Sequence, residues 1–201
     1  MTVPAIDFWF DFASTYSYPA AMRIKALAQA AGVTVRHRPF LLGPLFKAQG
    51  WDTSPFNLYP AKGRNMWRDL ERICRDLDLP LKRPDPFPQS SLLAARVALV
   101  GLQEPWGEEF CRAVFRAEFC EGRAIGDPET IGDVLTALGV GPARVLEAAR
   151  SDENKAALRA QTEAAEHHGI FGAPTFITPD GELFWGNDRL ERALAWAVSG
   201  H

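Results

Sequence analysis

The sequence predicts an α/β fold in which a β-α-β unit opens the chain, a helical block follows, and a β-β-α unit closes it. Three observations carry this. Residues 6–12, IDFWFDF, are nearly continuously apolar, as a strand covered on both faces must be, and a helical pattern follows them directly. Residues 61–168 read almost wholly as helix. After them, APTFITPDGELFW is two short β-prone runs joined by Pro-Asp-Gly, a hairpin signal.

Each element has its own local reason. From about Thr15 to Ala31 the chain is Ala-rich, and Gly32 supplies the left-handed stop. VTVRHRPF (33–40) alternates, with Val33, Val35 and His37 on one side, and Pro39 closes it. The short turn between helix and strand favours a right-handed parallel crossover. Residues 41–60 carry Gly43, Pro44, Gly50, Pro55 and Pro60 and are expected to be an irregular loop, long enough to cover a site. Within KGRNMWRDLERICRDLDL, Met66, Leu70, Ile73 and Leu77 fall at helical spacing. The proline-rich LPLKRPDPFP then breaks the chain before helices near 89–102 and 105–121. Asp127 caps a helix with Pro128 at its first position, Ser151 opens another, and Gly169 ends that one. NDRLERALAWAV closes the chain as an amphipathic helix with Leu190, Leu194 and Ala197 inward.

Composition narrows the function. At 201 residues, 47% hydrophobic and 23% charged, the chain can build a full core without staples. The net charge of −3 argues against a nucleic acid or an anionic membrane held by bulk electrostatics. Arg64, Arg68, Arg72 and Arg75 cluster, but Asp69, Glu71 and Asp76 interleave with them as on a solvated helix face. No apolar window approaches the roughly 20 residues of a membrane span, and no basic-then-apolar targeting segment is visible. Cys74, Cys111 and Cys120 form no C-x-x-C pair and no metal-ligand spacing with histidine, so ordinary thiols in a reducing cytoplasm are expected, with no metal. Glu163 and His167 are one helical turn apart, too few ligands for a metal. G-x-S-x-G is absent, and GVGPAR is an inter-helix loop.

One junction carries more chemistry. The first strand empties into Ala13-Ser14-Thr15 at a helix entrance, where backbone N–H groups without internal partners favour an anion. Ser14 is either a helix cap or a ligand-facing hydroxyl.

The element order, with GAPTF opening the third strand, resembles a thioredoxin fold carrying a helical domain inserted after the second strand. The resemblance implies a thioredoxin-like domain of residues 1–60 and 169–201 and an inserted helical domain of 61–168, whose last helix can pack back on the sheet. It places Pro174 at that fold's cis position, facing the first helix's entrance, with the backbone of Ala173 open to an extended peptide. FDFASTYSY, FLLGPLFKAQG, PAKGRNMWRDLER, GIFGAPTF and FWGNDRL are similar, in order, to the motifs of 2-hydroxychromene-2-carboxylate isomerases and kappa-class glutathione transferases. Thr15 stands where that family usually has proline.

The resemblance puts Ser14 where relatives with redox activity carry cysteine. A serine there cannot exchange disulfides, but it can donate a hydrogen bond to an external thiolate, and glutathione supplies that thiol in the family. Lys62 is then implied near the glycyl carboxylate with Asp52 and Thr53 beside it, and Asn187 and Asp188 at the γ-glutamyl end. Asp188 also reads as a capping box with Glu191, and both readings can hold. Phe8, Trp51, Phe56, Tyr59 and Trp67 are candidates for core or for the slot of a small aromatic substrate. The function implied is a glutathione-dependent isomerase of aromatic degradation, acting as a cytoplasmic homodimer. A kappa-type transferase or peroxidase is the alternative within the fold. A peptide-holding module using the Ala173-Pro174 edge without chemistry is the alternative outside enzymes.

Overall fold

The computed structural model describes residues 3–199. Its centre is a four-stranded mixed sheet in the order β2-β1-β3-β4. Strand β1 (Ala5–Phe10) leads through helix α1 (Ser17–Ala31) to β2 (Thr34–Pro39), which lies parallel to it from Ala5 opposite Thr34 to Phe10 opposite Pro39. Strands β3 (Thr175–Ile177) and β4 (Leu183–Trp185) add antiparallel on the other side of β1, joined by a turn in which the Gly181 N–H donates to the Thr178 carbonyl. Helix α10 (Leu190–Ser199) closes the order.

Because side chains alternate along a strand, β1 feeds two cores. Ile6, Phe8 and Phe10 enter the main one, while Trp9 joins Phe40, Ile170 and Ile177 on the opposite face. Asp7 is tolerated on the strand because Arg36 and Arg38 of β2 both pair with it at 2.9 Å.

Between β2 and β3 run α2 (Leu42–Ala48), α3 (Pro55–Leu58), α4 (Pro60–Asp76), α5 (Leu92–Gly101), α6 (Gly107–Arg116), α7 (Pro128–Ala137), α8 (Pro142–Arg150) and α9 (Asp152–His167). A widened helical turn over Ala117–Glu121 extends α6. The helices share one core with the sheet: the Phe115 ring of α6 lies 5.7 Å from Phe10 and 5.1 Å from Phe12. Truncating such a buried aromatic costs about 3–5 kcal/mol, so this contact fixes the helical block against the strand that carries the site. Helix α9 returns to the second face of the sheet, where Gln161 donates to the Pro39 carbonyl and Ala165 packs in the Trp9 cluster.

Two local expectations are corrected. Residues 41–60 are not an irregular loop throughout: α2 tolerates Pro44 in its first turn, and Ser54 caps α3 by accepting from the Phe56 N–H, with Pro55 at the first helical position. Helix α1 starts at Ser17 rather than Thr15. Pro19 is then its third residue, inside the first turn, where its missing N–H breaks no helical bond.

Candidate active site

The segment between β1 and α1 is built around Asp11. Its carboxylate accepts from the Ala13 N–H at 3.0 Å, the Leu42 N–H at 2.8 Å and the Ser91 hydroxyl, and its carbonyl accepts from the Ser14 N–H at 3.0 Å. One buried side chain thereby ties the turn before Ser14 to the starts of α2 and α5. Burial pushes the Asp11 carboxyl upward, against the lowering effect of these donors.

Three successive hydroxyls leave this turn in different directions. Ser14 Oγ donates to the Ala173 carbonyl at 3.0 Å, Thr15 Oγ1 donates to the Met66 sulfur at 3.2 Å, and Tyr16 donates to Asp69 of α4 at 2.9 Å. Ser14 is not the cap of α1. That position belongs to Tyr16 and has no side-chain cap bond. The Ala173–Pro174 peptide is cis, and the Ala173 carbonyl meets the Ser14 hydroxyl directly.

Ser14 and Ala173 open onto a cavity of about 760 Å³, within the size range of small-molecule sites. Lys62, in the first turn of α4, lines it too, with its ammonium 4.7 Å from the Tyr59 ring centroid. Asp52 and Thr53 form part of the same wall, and Thr53 Oγ1 accepts from Asn57 at 3.1 Å, pinning the approach to α3. The structure thus gathers Ser14, Lys62, Ala173, Asp52 and Thr53 around one space.

Asn187 and Asp188 stand apart from that lining. Asn187 is buried, and its side-chain oxygen and carbonyl both accept from Arg23 of α1, at 2.9 and 3.1 Å. Asp188 is exposed and pairs with Arg189 at 3.0 Å, within electrostatic reach of Tyr16. No capping box forms, because Glu191 is drawn to Arg23 and residues Asn187–Arg189 make a 3-10 turn with Gly186 before it.

The cysteines lie elsewhere. Burial pushes the Cys74 thiol up to about 11 and drives Cys111 upward as well, while Cys120 sits 3.0 Å from the Tyr18 hydroxyl. Neither of the two shifted thiols is a ready nucleophile at neutral pH. Among the described residues no group of three or more His, Cys, Asp and Glu side chains is placed to hold a metal.

The aromatic candidates divide. Phe8 and Trp67 are core residues, Trp51 and Phe56 line the cavity, and Tyr59 is exposed under Lys62. Two further walls carried no readable signal in the sequence. Phe87 to Leu92 reach the cavity from the proline-rich break, and Phe171 and Trp185, whose rings are 4.9 Å apart, stand at its edge. The first wall follows from how a structureless stretch folds back, and the second from a tertiary pairing across the β3–β4 hairpin.

Comparison with known proteins agrees with this architecture. The family model of the DSBA-like thioredoxin domain matches residues 5–195. The chain is 31% identical to a 2-hydroxychromene-2-carboxylate isomerase of Sphingobium xenophagum, over 92% of this chain and 94% of that protein. It is 32% identical to glutathione S-transferase kappa 1 of Caenorhabditis elegans, over 93% and 88%. A solved structure of 2-hydroxychromene-2-carboxylate isomerase superposes with a TM-score of 0.85 at 30% identity, covering 97% of this chain and 94% of that one. The chain belongs to the DSBA-like thioredoxin domain family, among its 2-hydroxychromene-2-carboxylate isomerases and kappa-class glutathione transferases.

Proposed function

We propose that the protein is a glutathione-dependent isomerase that interconverts 2-hydroxychromene-2-carboxylate and the open-chain hydroxybenzylidenepyruvate. The observation that carries the reading is Ser14: a nearly buried hydroxyl, not a helix cap, facing the Ala173 carbonyl inside a cavity whose lining contains no cysteine. A site of this fold without its own thiol suits a thiol brought in from outside.

The residues present fit glutathione. Lys62 offers a cation for the glycyl carboxylate, with Asp52 and Thr53 on the same wall. Ala173 offers main-chain groups to an extended peptide, as in strand addition. Ser14 offers one hydroxyl proton to a sulfur anion, and the uncapped start of α1 adds partial positive charge. Asn187, in the turn that Arg23 anchors, and Asp188, exposed beside it, are the polar groups for the γ-glutamyl end. Glutathione, when bound, would supply a nucleophilic sulfur for reversible addition to the conjugated double bond, leaving again with its C–S bond broken and the double bond restored after rotation. The chain's part is to hold the sulfur ionised, orient it, and keep water from the apolar walls.

The similarity to kappa-class transferases supports a second reading, conjugation of other electrophiles at the same site. Free cysteines in a chain of this family suit a reducing cytoplasm, and the homodimer is part of the same reading. The experiment is turnover of 2-hydroxychromene-2-carboxylate with and without glutathione, beside retention on immobilised glutathione. Isomerisation that requires glutathione supports the proposal. Retention without isomerisation favours the transferase. Neither retention nor turnover returns the protein to a peptide-holding role at the Ala173 edge.

A further inference from the structure

The turn that carries Ser14 is fastened to α4 by the two residues that follow Ser14. Thr15 Oγ1 donates to the Met66 sulfur at 3.2 Å, and the Tyr16 hydroxyl donates to Asp69 at 2.9 Å. Thr15 and Met66 are both buried, so water does not compete for their bond. The Tyr16 bond ends on a carboxylate and is the stronger kind. Burial and Asp69 hold the Tyr16 phenol well above its ordinary pKa, so the donor keeps its proton near neutral pH. Met66 and Asp69 are three residues apart on α4 and so are neighbours on its surface.

The same helix carries Lys62 in its first turn, four residues before Met66 and on the same face. Tyr16, Lys62 and Met66 line a shallow hollow of about 420 Å³ beside the main cavity, and Tyr16 and Lys62 line the main cavity as well. The first turn of α4 is also held from α3, because a side chain on Gly63 would strike the Phe56 carbonyl. Among the described residues Lys62 has no ion-pair partner, so where its charge stands is decided by where α4 stands.

We infer that Thr15 and Tyr16 are positioning residues that act through α4. They fix the span between Ser14 and Lys62, and so match the site to a ligand with a sulfur at one point and a carboxylate at the other. A span set before the ligand arrives lets both ends be met without reordering the walls. The ligand class rests on the function proposed above.

The test is calorimetric titration with glutathione and with its glycyl monoethyl ester, in which the carboxylate that Lys62 would meet is uncharged. Wild type should bind glutathione roughly five- to thirty-fold more tightly than the ester. Thr15→Val and Tyr16→Phe remove the two hydroxyls and little else. Together they should bring the two ligands within about two-fold, with the affinity for the ester changed by less than about two-fold. Each single variant should lose about two- to five-fold of the ratio, which keeps the test decisive if the double variant does not fold. Thr15→Ser keeps a hydroxyl and should keep the wild-type ratio. A ratio retained without the hydroxyls, a ratio lost in Thr15→Ser, or both ligands weakened alike overturns the inference and leaves Thr15 and Tyr16 as structural residues only. Equal binding of the two ligands by wild type overturns it too, while glutathione keeps its place in the site. Wild type that binds neither ligand ends the glutathione reading and this inference with it.

Discussion

The Ser14 hydroxyl donates to the Ala173 carbonyl at 3.0 Å, joining two points 159 residues apart in the chain. A serine has one hydroxyl proton, and here that proton is committed to the carbonyl of a buried residue beside the cis proline. Under the proposed function, a peptide N–H arriving at Ala173 would offer the carbonyl another donor and free the Ser14 proton for the sulfur of bound glutathione, coupling ligand binding to thiolate stabilisation through one oxygen.

Lys62 should govern affinity more than rate. It is exposed and rests over Tyr59 rather than in an ion pair, so its charge is available to a carboxylate but partly screened. Lys62→Ala should raise the glutathione KM roughly five- to thirty-fold with kcat little changed. Steady-state kinetics at varied glutathione checks this, and an unchanged KM removes Lys62 from the site.

The cysteines should be dispensable for chemistry. The lining of the cavity includes none of them, and burial holds Cys74 and Cys111 protonated. Replacing Cys74 and Cys111 by Ala and Cys120 by Ser should cost stability, in the range of about 1–3 kcal/mol for small core changes, and leave turnover per folded molecule within a few-fold. A folded but inactive variant would point to thiol chemistry by the chain itself.

Glu118 should make stability fall as pH rises. It is fully buried, both carboxylate oxygens lack partners, and burial, with Asp11 nearby adding to it, drives its pKa well above the ordinary value. The folded protein therefore holds a proton that the unfolded chain releases from about pH 4 upward. Between the unfolded and the folded pKa the native state binds more protons, so stability declines by up to about 1.4 kcal/mol per pH unit. Glu118→Gln removes this slope. Its melting temperature relative to wild type should climb as pH rises above about 4, and a pH-independent difference would show that Glu118 does not carry this titration.

The outline of the fold was legible because it lies in short-range pattern. The apolar run of β1, the Gly32 stop, the Asp127 and Ser151 caps and the Pro-Asp-Gly hairpin each act within a few residues, and each is where the sequence places it. The site was legible only as far as motifs reach. Ser14, Lys62 and Ala173 share one cavity lining, while the contact that Asn187 makes was hidden, because its partner, Arg23, is 164 residues away. Asp188 and Glu191 have capping-box spacing, yet the same arginine takes Glu191. The wall from Phe87 to Leu92 was opaque for a similar reason: a proline-rich break has no periodicity from which to read a facing side.

The central claim is that Ser14 acts on a bound thiolate. Were Ser14 only a structural hydroxyl, Ser14→Ala would cost about 1 kcal/mol of stability and leave the bound thiol unchanged. As a donor to the sulfur anion, its loss should raise the thiol pKa of enzyme-bound glutathione by roughly one unit, since hydrogen bonds to charged groups contribute about 1.5–3 kcal/mol and water replaces part of this. The measurement is a pH titration of thiolate ultraviolet absorbance with glutathione bound to wild type and to Ser14→Ala. A pKa higher by about one unit in the variant, with a matching loss of turnover near neutral pH, is the predicted result. An unchanged pKa and rate, with only the melting temperature lowered, would contradict the account.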